Sequence, residues 1–379
     1  MSDSERFTTE EAEERLQHAE RPTSRAVSWL HRLHDFRLLP VFVLLSMAVG
    51  IAVGKLYGIS DFQITPPIDA LKAMARGQYD FSLPNTLALG VVVGLFLMIY
   101  PATTKIRFED LGRALRSPAQ LAVVAGFNYL IAPFFMFLLA RIFVAHNADL
   151  HTALVLYGLA PCIAMVIVFT FLALGNNALA IVLVALNSVL QMILIPVYAR
   201  LLLGSVDFDV FVVGESVLLY LGLPLLAGFL TRRMAIQRVG EEGFARLSLY
   251  LDTLSIVGLL FTLVVMFALK GDLILEEPRI ILLLAVPMTI FFWAMFITVY
   301  LTSWKLGFTY EDSVAVAFNS TGRDFEIAIA IAITAFNPAV ALGTVVGPLI
   351  EVPVMLVLVW FARWSRPRLF LRQARAVER

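Results

Sequence analysis

About ten apolar runs, each near 20 residues or longer, follow one another between residues 39 and 362. They fall near 39–58, 83–101, 119–144, 152–173, 178–203, 211–230, 249–269, 280–303, 313–335 and 339–362. A hydrocarbon core about 30 Å thick is crossed by roughly 20 helical residues. Only helices or closed barrels satisfy every backbone group in lipid, and these runs lack the alternation of strands. The sequence therefore predicts an all-α membrane protein with ten transmembrane helices. Composition agrees: 60% of the 379 residues are hydrophobic and 15% charged, against roughly 45–50% and about a quarter in soluble domains.

Charge sets the orientation. Of the 29 Lys and Arg, 21 fall in the two termini and the loops 102–118, 231–248 and 304–310, seven fall on the opposite side, and Arg323 alone lies at depth. Basic loops stay in the cytoplasm, so both termini are expected there, in a bacterial inner membrane. Formal net charge is zero, which argues against a nucleic-acid partner. Residues 1–37 form a polar extension without the features of a signal peptide. Within it, Val27, Leu30 and Leu33 recur at helical spacing beside Trp29, as in an interfacial helix; an ordinary basic flank fits equally well. His31 and His34 stand there without further metal ligands. Residues 364–379 form a basic tail.

Two halves repeat a pattern. Spans 4 and 5 are joined by "LGNNA" and spans 9 and 10 by "FNPAV". The fourth span is interrupted by "GLAPC" (158–162) and the ninth by "NSTGRD" (319–324), and each following span carries an amide or acid, Gln191 or Glu351. Span 4 runs inward and span 9 outward, so residues 38–204 and 205–363 read as two inverted five-helix repeats. In secondary transporters built this way, broken helices 4 and 9 cross at the midplane and bind substrate.

The chemistry concentrates at those breaks. An ionised residue at the bilayer centre costs roughly 2.5–3.5 kcal/mol on insertion scales, yet Arg323, Asp324, Glu326 and Glu351 all lie at depth. Arg323 and Asp324 can form a mutual ion pair, or Arg323 can recruit an anion; the sequence leaves both open. Glu326 sits where a second half-helix would begin and is suited to carry a proton. Cys162, the one cysteine, excludes an intramolecular disulfide and a thiolate zinc cluster. It follows Pro161, a residue favoured in a first helical turn, where a thiol gains thiolate character. All five His lie outside the spans, and phosphate-binding glycine loops are absent. Nothing in the sequence calls for a cofactor, a resident metal or an enzymatic activity.

"GLAPCIAMVIV" (158–168), "LNSVLQ" (186–191), "SVLLYLGLPLLAGFLTRR" (216–233), "LLFTLVVMFALKG" (259–271), "DFEIAIAIAI" (324–333) and "VVGPLIEVPVML" (345–356) occur in this order. So do "LFLMIYPATTKIRFEDL" (95–111) and "APFFMFLLARIF" (132–143). Together they resemble the arsenical-resistance permeases of the arsenite efflux type, within the bile acid/sodium symporter superfamily. The resemblance spans roughly residues 39–362. It implies a ten-helix carrier exporting arsenite, and in some members antimonite, in exchange for protons. The family's essential cysteine in span 4 matches Cys162, and its essential acid in span 9 matches Glu326. Pro161, Asn187, Gln191, Asn319, Arg323, Asp324 and Glu351 then surround the crossover.

Two departures stand out. Pro161 replaces a basic residue common before the cysteine, and Arg323–Asp324 replace neutral amides before Phe325–Glu326. The alternative is a sodium-coupled organic-anion symporter with Arg323 as anion clamp. Ser320 and Asp324 stand where that branch has a glutamate and a glutamine, which argues against sodium, although Asn319, Thr321 and Asp324 still offer oxygens. The expected partners are arsenite or antimonite, protons and membrane lipid; self-association is left open.

Overall fold

In the computed structural model, the described residues are 39–58, 73–74, 76–78, 83–104, 118–163, 165–204, 206, 208–276, 278–336 and 338–370. The extension 1–37, where the sequence allows an interfacial helix or an ordinary basic flank, the histidine pair and the end of the basic tail lie outside them. The described residues are almost wholly helical. They form α1 (Leu39–Tyr57), α2 (Leu83–Thr104), α3 (Pro118–Gly126), α4 (Ala132–Phe143), α5 (Ala148–Leu159), α6 (Met165–Leu172), α7 (Asn177–Leu203) and α8 (Val210–Val217). The remainder are α9 (Leu223–Glu276), α10 (Pro278–Lys305), α11 (Tyr310–Thr321), α12 (Phe325–Ala335), α13 (Pro338–Val345) and α14 (Gly347–Leu369). Single π-turns, Phe127–Ile131 and Leu218–Gly222, splice α3 to α4 and α8 to α9.

Six of the resulting helices are long and apolar enough to cross a membrane, the longest being Val210–Glu241. The expected breaks in the fourth and ninth apolar runs are present. The fourth divides into α5 and α6, of 12 and 8 residues, and the ninth into α11 and α12, of 12 and 11 residues. At 1.5 Å per residue, each longer half covers about 18 Å, so neither half spans the hydrocarbon alone. Side chains mark the ends. Asn147, Asn176, Thr309 and Asp324 each accept a backbone N–H at the start of α5, α7, α11 and α12.

Two boundaries differ from expectation. Residues 231–248, expected as a loop, are helical on both sides of Gly240, whose positive φ of 72° supplies the bend. Polar residues there favoured a loop reading, but they are good helix formers once α9 has begun. α14 also runs on to Leu369, carrying Arg363, Arg366 and Arg368 beyond the expected end of the span at residue 362.

α9 packs along α1 and α2, and these three form one group. α3 to α7 and α10 to α14 form a second, in which α10 lies against α11 and α14, and α5 against α4 and α13. α8 is seated on α7 and α12 between them. Small residues allow the closest approach. A Cβ at Gly50 would sit 2.5 Å from the Val264 carbonyl oxygen, and one at Gly54 would sit 2.4 Å from that of Ala268. This glycine pair, four residues apart, is the spacing that brings helix backbones together in lipid. Gly54→Ile should separate α1 from α9 and cost about 1–3 kcal/mol, as overpacking does. Thermal unfolding in detergent would show it, and an unchanged midpoint would contradict the contact.

Candidate functional site: the crossing of two broken helices

The links between the half-helices are extended, and they cross. The Cys162 N–H donates to the Gly322 carbonyl at 3.0 Å, and the Asp324 N–H donates to the Ala160 carbonyl at 2.8 Å. Pro161 and Arg323 thereby face each other as one antiparallel bridge. Helix ends leave backbone groups unsatisfied; here each broken helix supplies a partner for the other. Pro161 suits its place because it lacks an N–H to strand. Gly322 suits its place because of space. A Cβ there would lie 2.4 Å from Val166 Cγ1 and 3.1 Å from Cys162 Cβ.

Cys162 is buried in this extended segment. α6 begins only at Met165, so Pro161 and Cys162 stand ahead of the first helical turn and not in it. The reason is the crossing itself, which holds Cys162 in strand-like pairing.

Arg323 is fully buried and is not an ion-pair partner of Asp324. Its Nε donates to the Thr321 carbonyl (3.2 Å), Nη1 to the Gly158 carbonyl (3.3 Å), and Nη2 to the Ser320 carbonyl (2.5 Å) and Asn128 Oδ1 (2.6 Å). The Phe291 ring lies 5.3 Å from the guanidinium carbon, within cation–π range. No carboxylate among the described residues reaches ion-pair distance. Its charge rests on neutral oxygens, most of them at the C-terminal ends of α5 and α11, where helix dipoles are negative.

The acids surround this centre. Glu351 on α14 accepts from the Tyr157 hydroxyl and, at 3.2 Å, from the backbone N–H of Arg323. It thus ties α5 and the crossing to α14. Asp324 caps α12 through Oδ1, which accepts from Ile327 N–H at 3.1 Å. Its Oδ2 has no fixed donor, and the Glu326 carboxyl lies beside it. Glu326, in the first turn of α12, is buried.

The amides divide. Asn187 Oδ1 accepts from Asn128, while its Nδ2 is unpartnered. Asn319 donates to Ala315 O, while its Oδ1 is unpartnered. Gln191 is buried on α7 with both polar atoms unpartnered, so no hydrogen bond ties it to the crossing. Buried polar groups without partners are uncommon in native structures, and these gather along α7 and α11.

Sequence reasoning missed Asn128. It lies in the π-turn between α3 and α4, accepts from Arg323, and donates to Asn187 Oδ1 (3.2 Å) and the Asn319 carbonyl (3.0 Å). A lone amide in the apolar stretch "GFNYLIAP" was the available signal, and π-turns often occur at functional positions. Tyr157 and Phe291 had no distinguishing signal among 10 Tyr and 29 Phe.

A helical membrane bundle with two broken helices crossing at a buried polar centre has the architecture of a membrane transporter. The model of the Sodium Bile acid symporter family matches residues 80–277. The chain is 33% identical over 349 residues to the arsenical-resistance protein Acr3 of Corynebacterium glutamicum, covering 88% of this chain and 90% of that one. It is 35% identical over 349 residues to the Acr3 of Alkaliphilus metalliredigens, covering 87% and 92%. An uncharacterized transporter of Synechocystis is 35% identical over 359 residues, covering 86% and 90%. The chain belongs to the arsenical-resistance permeases, within the bile acid/sodium symporter superfamily.

The hub role of Asn128 is testable. Asn128→Ala should cost about 1.5–3 kcal/mol, the range for a hydrogen bond to a charged group, with Asn128→Asp recovering part because it keeps the acceptor. An unfolding midpoint for Asn128→Ala equal to wild type would show that the guanidinium does not depend on it.

Proposed function

We propose that this chain is a secondary transporter that exports arsenite in exchange for protons, with Cys162 as the substrate ligand and Glu326 as the proton carrier. The observation that carries the reading is that Cys162 and Glu326 flank the same crossing, on opposite broken helices. The names of the two Acr3 relatives support the arsenical substrate. Ten spans in two inverted repeats, 38–204 and 205–363, with both termini cytoplasmic, follow from the apolar runs and basic loops.

The chemistry suits one thiol. Arsenite near neutral pH is mainly As(OH)3, uncharged, so it needs no counter-charge, and its arsenic is thiophilic. The Cys162 sulfur forms an S–As bond while the thiol proton leaves with one hydroxide as water; the reverse step releases the cargo. Several thiols would hold arsenic too tightly for turnover. Antimonite has the same hydroxide chemistry and a softer centre, and so falls within the same substrate class.

Glu326 has no cation within ion-pair distance among the described residues, and its neighbour is the Asp324 carboxyl. Such a pair is suited to hold a proton taken from the outer side and to pass it inward as the crossing changes its exposure. Asp324 fixes the start of α12 and thereby the position of Glu326. Glu351, Asn187 and Asn319 position the crossing, and Gln191 offers free amide atoms to a polar cargo. The rival reading, an organic-anion symporter with Arg323 as clamp, finds no support in a guanidinium already engaged by four protein oxygens.

Cys162→Ser and Glu326→Gln should each abolish arsenite resistance in a sensitive host while the protein still accumulates in the membrane. Normal resistance in a well-expressed Cys162→Ser variant would remove the site assignment. Sensitivity to antimonite should follow sensitivity to arsenite in both variants.

A further inference from the structure

We propose that Arg323 is a tethered cation. Its guanidinium occupies a position at the crossing that would otherwise take a free monovalent metal ion such as sodium, and this makes the protein independent of sodium. The inference extends the reading of the crossing as the transport site.

The ligands argue for it. Three backbone carbonyls, Gly158, Ser320 and Thr321, and one amide oxygen, Asn128 Oδ1, converge on the guanidinium. None is ionised. Backbone carbonyls at half-helix C-termini, with side-chain oxygens beside them, are the donor set by which broken helices hold alkali cations. Guanidinium normally seeks carboxylate or phosphate in bidentate pairing, and here three buried carboxyl groups stand nearby without taking it. The site therefore has the donors of a hard-cation site and a guanidinium as its occupant. Residues next to these ligands in the chain carry further oxygens: Asn319 Oδ1, Ser320 Oγ and Asp324 Oδ2 are buried without a hydrogen-bond partner.

Two consequences follow. A cation joined to the chain cannot dissociate or be carried down a gradient, so it neutralises the crossing in every state of the cycle. The exchangeable charge is then left to the acids. A family named for sodium thus contains a member whose own residue fills the cation position. Removing the side chain should reopen it.

The test reads stability of the full-length protein in detergent without arsenite, so its failure is separable from a failed arsenite assay. The wild-type unfolding midpoint should be equal in NaCl and in choline chloride at matched concentration. Arg323→Ser should be less stable in choline and should gain about 2–4 °C or more, the shift of roughly one kcal/mol, on adding sodium or methylguanidinium. Arg323→Lys, which keeps a tethered charge, should fold and ignore sodium. Arg323→Met, of similar bulk without charge, should accumulate poorly. A sodium-specific rise in the wild type, a folded Arg323→Ser that answers neither cation, or Arg323→Met as stable as Arg323→Lys would each overturn the proposal. The Lys and Met pair decides the matter if Arg323→Ser does not fold.

Discussion

Two reciprocal backbone hydrogen bonds, Cys162 to Gly322 and Asp324 to Ala160, are the constraint on which the rest depends. In hydrocarbon an unpaired N–H or C=O costs several kcal/mol, so a helix can be interrupted there only if something replaces its lost partners. Each broken helix replaces them for the other. Neither break is therefore tolerable alone, and the cysteine, the arginine and the acids are all fixed relative to a backbone bridge of only a few residues. Gly322 and Pro161 are the residues that make this bridge fit, one by lacking a side chain and the other by lacking a donor.

Around the bridge the polar groups form a sorted arrangement. The positive charge is satisfied by neutral oxygens on α5, α11 and the π-turn after α3. The acids are held by other donors, Glu351 by Tyr157 and a backbone N–H, Asp324 by the first turn of α12. With the guanidinium engaged elsewhere, Asp324 and Glu326 have no cation at ion-pair distance among the described residues. A direct Arg–Asp pair would have neutralised the centre and fixed its charge.

Much of this was legible in the sequence, for definite reasons. Apolar length showed the membrane helices, and Pro161 and Gly322 inside apolar runs marked the two breaks. Buried charges are costly enough that Arg323, Asp324, Glu326 and Glu351 drew notice without any structure. What sequence could not give was pairing. The choice of Asn128 over Asp324 as the partner of Arg323 depends on a π-turn 195 residues away in the chain, and no local pattern encodes it. The elbow at Gly240 was hidden because charged helix formers on either side look like a loop. Cys162 was placed one step wrong, in a helical turn and not ahead of it, because Pro161 has the same local preference for both.

The central claim is that the crossing binds an uncharged arsenic hydroxide through Cys162 and exchanges it for a proton. Everted membrane vesicles carrying the full chain test it directly. With the interior made acidic, arsenite should accumulate inside, sodium should make no difference, and dissipating the pH gradient should release the accumulated arsenite. Accumulation that ignores the pH gradient, or that persists when Cys162 is replaced by serine, would contradict the account.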